Sequence, residues 1–236
     1  MIDIEVLATG SKGNSYLLRS GEARILLDCG LSYKKTLKLL DFKLPTAVMV
    51  THEHKDHATA AEDFIKHGVD VYMTTGTAMA LGLEENHRLH LIESGTNFKV
   101  GECVSFAFEV THDAAEPVNF IVNDGEDTIL YVTDTGKISN RFDGLTKILI
   151  ETNFDHKMLR RSKKLNFNQA IRIRDNHLAI DSAIEFLEST DLSKCKEIYL
   201  IHISARHGDG EKFKEEVQKM VGDKIKVIVA KNKELA

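Results

Sequence analysis

Apolar side chains recur along this chain at two spacings, and the places where one gives way to the other predict its elements. Residues 2–7, Ile-Asp-Ile-Glu-Val-Leu, alternate apolar and polar positions with the two-residue period of a half-buried strand. Short apolar runs at 16–19 and 24–27 read as further strands, 33–40 as a helix, and the continuous run Ala47-Val48-Met49-Val50 as a fully buried strand. A helix over 58–66, a strand over 69–73 and a helix over 75–81 extend this into a βαβα succession. From residue 89 the pattern changes to short runs at 89–92, 97–100, 103–110, 119–122 and 128–132. Asn123-Asp124-Gly125 supplies a hairpin turn between the last two, so this stretch reads as an antiparallel meander. A buried strand at 147–150 then precedes a helical stretch at 156–174, a helix at 178–188 opened by His177, a strand at 197–201, a helix at 211–220 and a strand at 226–229. No fixed repeat, low-complexity tract or Pro-rich linker intervenes, and residues 1–236 read as a single domain.

Composition narrows the class without naming the chemistry. With 42% hydrophobic and 28% charged residues the chain can bury a sizeable core in water. No stretch approaches the roughly 18 consecutive apolar residues of a membrane helix, and the alternating N-terminal residues lack the pattern of a signal peptide; the expectation is a cytoplasmic protein with no membrane contact. Cys29, Cys103 and Cys195 are far apart and odd in number, which argues for small core residues instead of a disulfide framework or a Cys-x-x-Cys zinc site. A net charge of −5 gives no general attraction to polyanions, so a nucleic-acid partner needs a local basic surface. Residues 156–174 contain Lys157, Arg160, Arg161, Lys163, Lys164, Arg172 and Arg174 with no Asp or Glu. A solvated helix face normally mixes both signs, which makes a phosphodiester backbone the better-motivated partner for this run.

The chemistry gathers in Thr51-His52-Glu53-His54-Lys55-Asp56-His57, three imidazoles and a carboxylate between a buried strand and a helix. In extended chain His52 and His54 project the same way, while Asp56 and His57 sit where the helix opens. Buried imidazoles without partners are costly and exposed ones rarely cluster, so such a loop points to metal ions, and two can share it. Other donors follow strand ends: Asp28, either orienting a ligand histidine or capping a turn; His112; Asp134, whose two oxygens suit bridging two cations about 3.5–4 Å apart; and His202 as a last ligand. The Gly-rich turn at 9–15 leads into a strand and lacks phosphate-loop spacing, which makes it a poor nucleotide site. His177, at the start of a helix, is placed to meet a phosphate.

Taken in order, these residues resemble the metallo-β-lactamase fold, with its His-x-His-x-Asp-His, later His, bridging Asp and last His. The resemblance implies an α+β, four-layer αββα sandwich with the site at one sheet edge. It also implies a first ion on His52, His54 and His112, a second on Asp56, His57 and His202, and Asp134 between them. Gly10-Ser11-Lys12-Gly13-Asn14-Ser15, Leu27-Asp28-Cys29-Gly30, the run from Thr111 to Val118, Tyr131-Val132-Thr133-Asp134-Thr135-Gly136 and the run from Ile201 to Asp209 are similar to the YycJ/WalJ-like exonuclease group. That group's Gly-His-Leu-Ser-Asn stands here as Asn176-His177-Leu178-Ala179-Ile180, and Asn119 replaces its Gly after Pro117-Val118. The activity implied is 5′-to-3′ cleavage of double-stranded DNA.

The expected machinery is therefore catalytic Asp56, Asp134 and His177 with two divalent ions, for which the donor chemistry suits zinc, manganese or iron. Arg160, Arg161, Lys163, Arg174, His177, Ser204 and Arg206 would contact the substrate, DNA in preference to RNA. An endoribonuclease, a thioesterase or a cyclic phosphodiesterase of the same superfamily is the alternative, and a non-catalytic DNA-binding or metal-sensing protein a more distant one. The short interval from Asp134 to His202 leaves no room for the extra domain of β-CASP members, and a small thioester has no use for the basic run. Oligomeric state and native metal are not legible.

Overall fold

The computed structural model describes residues 1–162 and 165–234. Their contacts divide into two compact units, one of Met1–Glu109, Ala114–Glu126 and the segment from Lys231, the other of Val110–Asp113 and Asp127–Ala230.

In the first unit six strands lie in chain order: β1 (Asp3–Ala8), β2 (Ser15–Ser20), β3 (Ala23–Leu27), β4 (Ala47–Met49), β5 (Asp70–Thr74) and β6 (Leu89–Ile92). β1 to β3 pair antiparallel and β3 to β6 parallel, with Leu27 opposite Met49 and Met49 opposite Tyr72. The parallel strands need crossovers, which helices α1 (Tyr33–Leu39), α2 (Lys55–Ala58), α3 (Ala61–Lys66) and α4 (Thr75–Ala80) supply. Leu17, Leu26, Val48, Val71 and Met73 of this sheet share one buried cluster with Leu39, Phe64 and Ala78 of the helices. An antiparallel ladder of β7 (Asn97–Val100), β8 (Cys103–Glu109) and β9 (Val118–Asn123) belongs to the same unit. Ser105 reaches Met49 Sδ at 3.9 Å, and Phe98 stacks on Tyr72 at 5.7 Å between centroids, so this ladder packs on the six-stranded sheet.

In the second unit β10 (Thr128–Val132), β11 (Lys147–Glu151), β12 (Glu197–Ile201) and β13 (Lys226–Val229) are all parallel and adjacent in that order. Their apolar runs are continuous, as strands buried on both faces require. Helices α5 (His156–Arg161), α6 (Phe167–Asn176), α7 (Ile180–Glu188) and α8 (Gly210–Val221) complete it. Phe213 and Val217 bury the inner face of α8, while a small cluster of Phe154, Leu159 and Ala179 seats α5.

Every strand expected from the periodicity is found, and the departures concern partners and breaks. β6, expected in the meander, pairs parallel with β5 at the edge of the first sheet, because pairing is a long-range choice that a four-residue apolar run does not encode. The helix expected at 58–66 is two: Lys55–Ala58 already contains Asp56 and His57, and the chain bends before Ala61. The stretch at 156–174 is also two helices, α6 opening with a capping box in which Asn166 and Gln169 satisfy each other's backbone N–H groups. His177 caps the C-terminal end of α6 instead of opening the next helix, whose first residue is Ile180. Lys163 and Lys164 lie outside the described residues. The three cysteines are buried, and burial pushes the Cys195 thiol up to about 11.

Candidate metal centre

The donors of the first unit are held by one buried acid. Asp28 ends β3 in the left-handed region at φ 57°, fully buried. Its carboxylate accepts from Thr51 N at 2.8 Å and Thr51 Oγ1 at 3.0 Å, and accepts a hydrogen bond from His57 Nδ1–H at 2.7 Å. A carboxylate on Nδ1 selects the tautomer whose Nε2 lone pair faces outward, which is the ligand form; His57 Nε2 accepts the Asn14 amide at 3.0 Å. The Thr51 hydroxyl also lies 3.0 Å from His52 Nδ1. The rings of His52 and His54 stand 4.7 Å apart edge to face, and those of His52 and His57 4.3 Å apart. Asp56 Oδ2 is 3.7 Å from His57 Nε2.

Two motifs without a chemical role of their own clamp this loop. Asn14 N donates to the Asp56 carbonyl at 2.7 Å, and Gly30 N to Asn14 O at 3.0 Å. A Cβ on Gly30 would fall 1.8 Å from that same Asp56 oxygen, so only glycine admits the approach. The Gly-rich turn and the Asp-Cys-Gly turn thus fix the backbone that carries Asp56, consistent with the poor nucleotide-site reading.

The second unit assembles its donors on another acid, Glu151, a fully buried carboxylate at the end of β11. Glu151 Oε1 accepts from His177 Nδ1 and from His202 Nδ1, each at 2.8 Å, and Oε2 accepts from Leu178 N at 3.1 Å and Thr135 N at 3.2 Å. Burial alone would raise its pKa, but the facing His177 and the hydrogen bonds from both imidazoles hold it below the usual carboxylate range. His177 responds in kind: burial works to lower it, and Glu151 outweighs that and raises it above the ordinary histidine value. Asp134, buried with φ 44°, lies 3.0 Å from His202 Nδ1 and 3.7 Å from His112 Nε2. His112 donates a hydrogen bond from Nδ1–H to the Asn176 carbonyl at 3.0 Å, which leaves Nε2 as the ligand atom, and burial lowers its pKa, favouring the neutral form. Asp134, Glu151, His177 and His202 can each offer one ligand atom within 4.8 Å of the others. Imidazoles beside two buried carboxylates suit a divalent cation of the zinc, manganese or iron class.

Among the expected substrate contacts, Arg160 and Arg161 lie exposed at the end of α5, Arg174 exposed in the last turn of α6 and Arg206 exposed after β12. Ser204 turns its hydroxyl inward, accepting from His207 N at 3.3 Å. Lys163 is outside the described residues. Glu151, Asn14 and Gly30 received no role from the sequence; the available signal for Glu151 was its position directly after Ile148-Leu149-Ile150, the same strand-end place that Asp28 occupies.

A family model described as the Beta-lactamase superfamily domain matches residues 23–203. The chain belongs to the β-lactamase superfamily. It is 32% identical over 216 residues to a protein named exodeoxyribonuclease WalJ from Streptococcus pneumoniae, across 84% of this chain and 80% of that one. With exodeoxyribonuclease YycJ of Bacillus anthracis it shares 28% identity across 94% and 90%. The crystal structure of the metallo-β-lactamase fold protein YhfI from Bacillus subtilis superposes with TM-score 0.73 at 16% identity, covering 99% of this chain and 97% of that one. The resemblance to the YycJ/WalJ-like group and the α+β metallo-β-lactamase fold are borne out, and the superfamily member described here is a metal-dependent hydrolase.

Proposed function

We propose that this hydrolase is a phosphodiesterase of nucleic acid, a 5′-to-3′ exonuclease on double-stranded DNA in preference to RNA, acting in the cytoplasm as one domain in which both units take part. The observation that carries the reading is the Glu151–His177 pair beside Asp134 and His202, an imidazole with a raised pKa next to a donor set. The names of the WalJ and YycJ relatives support the choice of DNA.

His52, His54 and His112 would hold one ion, Asp56, His57 and His202 a second, with Asp134 between them; zinc, manganese or iron suits these donors. When bound, the ions supply charge stabilisation for the phosphate and lower the pKa of a water. Asp56, half-buried at the start of α2, accepts a hydrogen bond from the attacking water and so orients it. His177, held by Glu151, donates a proton to the leaving oxygen or a hydrogen bond to the phosphate. Arg160, Arg161, Arg174 and Arg206 steady the flanking backbone through charge-assisted hydrogen bonds, with Lys163 and Ser204 as lesser contacts.

Protein loaded with Mn²⁺ or Zn²⁺ should shorten an end-labelled linear duplex from its 5′ ends, faster than single-stranded DNA, RNA or a thioester. Asp134→Ala should abolish turnover, by about a thousandfold or more on the scale of charge-stabilising groups, while circular dichroism stays native. Undiminished cleavage by that variant removes the bridging role, and thioester hydrolysis without duplex cleavage removes the phosphodiesterase reading.

A further inference from the structure

The basic run contains one residue that its charge does not explain. Phe167, in the first turn of α6, is 79% exposed. With Leu159 and Ile171 it lines an apolar groove of about 300 Å³ within the second unit, and Arg160 and Arg174 stand on its rim. That volume is at the small end of ligand pockets, roughly 300–1,000 Å³. Two of the run's cations are already engaged, Arg172 with Asp113 at 2.7 Å and Arg174 Nε with Asp175 at 2.9 Å. Arg160 and Arg161 have no carboxylate partner among the described residues. The groove therefore combines an exposed ring, an aliphatic floor and a guanidinium without a counterion.

We infer that this groove is a stacking site for one unpaired nucleobase of the substrate, with Phe167 against the base and Arg160 and Arg174 toward the phosphates on either side. The inference rests on the nucleic-acid reading above and adds the place where a strand leaves its duplex. Every base has a π-face, so a single exposed ring serves any sequence, and flanking guanidiniums match a chain that carries one phosphate per nucleotide. An apolar peptide would use the floor but leave the Arg160 guanidinium unanswered. The helix also sets a distance. Asn176, at the far end of α6, accepts a hydrogen bond from His112 on its carbonyl and precedes His177. Nine residues at 1.5 Å rise separate it from Phe167, roughly 13 Å, which a single strand spans in a few nucleotides.

The test uses the metal-loaded enzyme and a duplex with a short single-stranded extension whose phosphorothioate linkages resist cleavage. Wild type should bind it, and 2-aminopurine at one position within the first few nucleotides of the terminal bond should be quenched more than at neighbouring positions. Phe167→Ala should weaken binding about tenfold or more and abolish the quenching, and Phe167→Trp should restore both. A dissociation constant for Phe167→Ala within about twofold of wild type, with native circular dichroism and intact cleavage of ordinary duplex by wild type, overturns the groove alone. If wild type neither binds nor cuts any oligonucleotide yet hydrolyses bis(p-nitrophenyl) phosphate, the nucleic-acid reading falls and the groove with it.

Discussion

At the scale of single residues, buried acids orient the histidines of the donor sets. Asp28 and Glu151 are fully buried, and each spends its oxygens on histidines and on backbone or hydroxyl donors of the adjacent turns. Water cannot replace those hydrogen bonds, so the imidazoles are held in one orientation and one tautomer. Asp28, Asp134 and His202 also adopt positive φ without being glycine, at 57°, 44° and 50°. Such conformations cost of order 1–3 kcal/mol each and persist where the surroundings over-determine them. Glu151→Gln keeps the shape but replaces an acceptor oxygen with a donor facing His177 and His202. Its expected effect is a loss of activity of about 10–100-fold with little change in the melting transition, read from steady-state kinetics and circular dichroism; activity within about twofold of wild type would show that Glu151 does not position His177.

At the scale of elements, short helices place these residues, and their ends decide where they stop. α5 begins at Asp155, whose carboxylate accepts from Lys157 N at 2.6 Å and Met158 N at 3.2 Å while Lys212 Nζ of α8 donates to it at 2.7 Å. The Lys212 hydrogen bond, with the two backbone donors, holds Asp155 down to about 2 from an ordinary 3.8. A depressed carboxylate contributes stability that is complete above the unfolded value and disappears as pH falls from about 4 toward about 2. Asp155→Ala should therefore cost about 0.5–2 kcal/mol at neutral pH, and the gap between variant and wild type should narrow in acid. Urea melts at pH 7 and at pH 2.5 check this; a gap as large at pH 2.5 as at pH 7 means that packing, not the carboxylate, is responsible.

At the scale of the whole molecule, a net charge of −5 coexists with a basic run on α5 and α6, so attraction to a polyanion is local. No helix among the described residues is long and apolar enough to cross a membrane. If two ions bind the folded chain and not the unfolded one, each adds about 2.7 kcal/mol at hundredfold excess over its dissociation constant. For a chain of this size that raises the melting temperature by roughly 5–10 °C per site. Chelator-stripped protein retitrated with Zn²⁺ or Mn²⁺ should show that rise and saturate at two equivalents in calorimetry; saturation at one removes the paired-ion proposal. How much of this was legible follows from the range of each interaction. The strands, the His-x-His-x-Asp-His loop and the strand-end acids Asp28 and Asp134 depend on neighbours a few residues away, and periodicity and spacing disclose them. The sheet that β6 joins, the break between α2 and α3, the place of His177 at a helix end and the clamp of Asn14 and Gly30 on Asp56 were decided only in three dimensions. So was the meeting of Glu151 with His177 and His202, 26 and 51 residues away. A local pattern records which side chains a segment offers, whereas burial and hydrogen bonding between distant segments select the partners they meet.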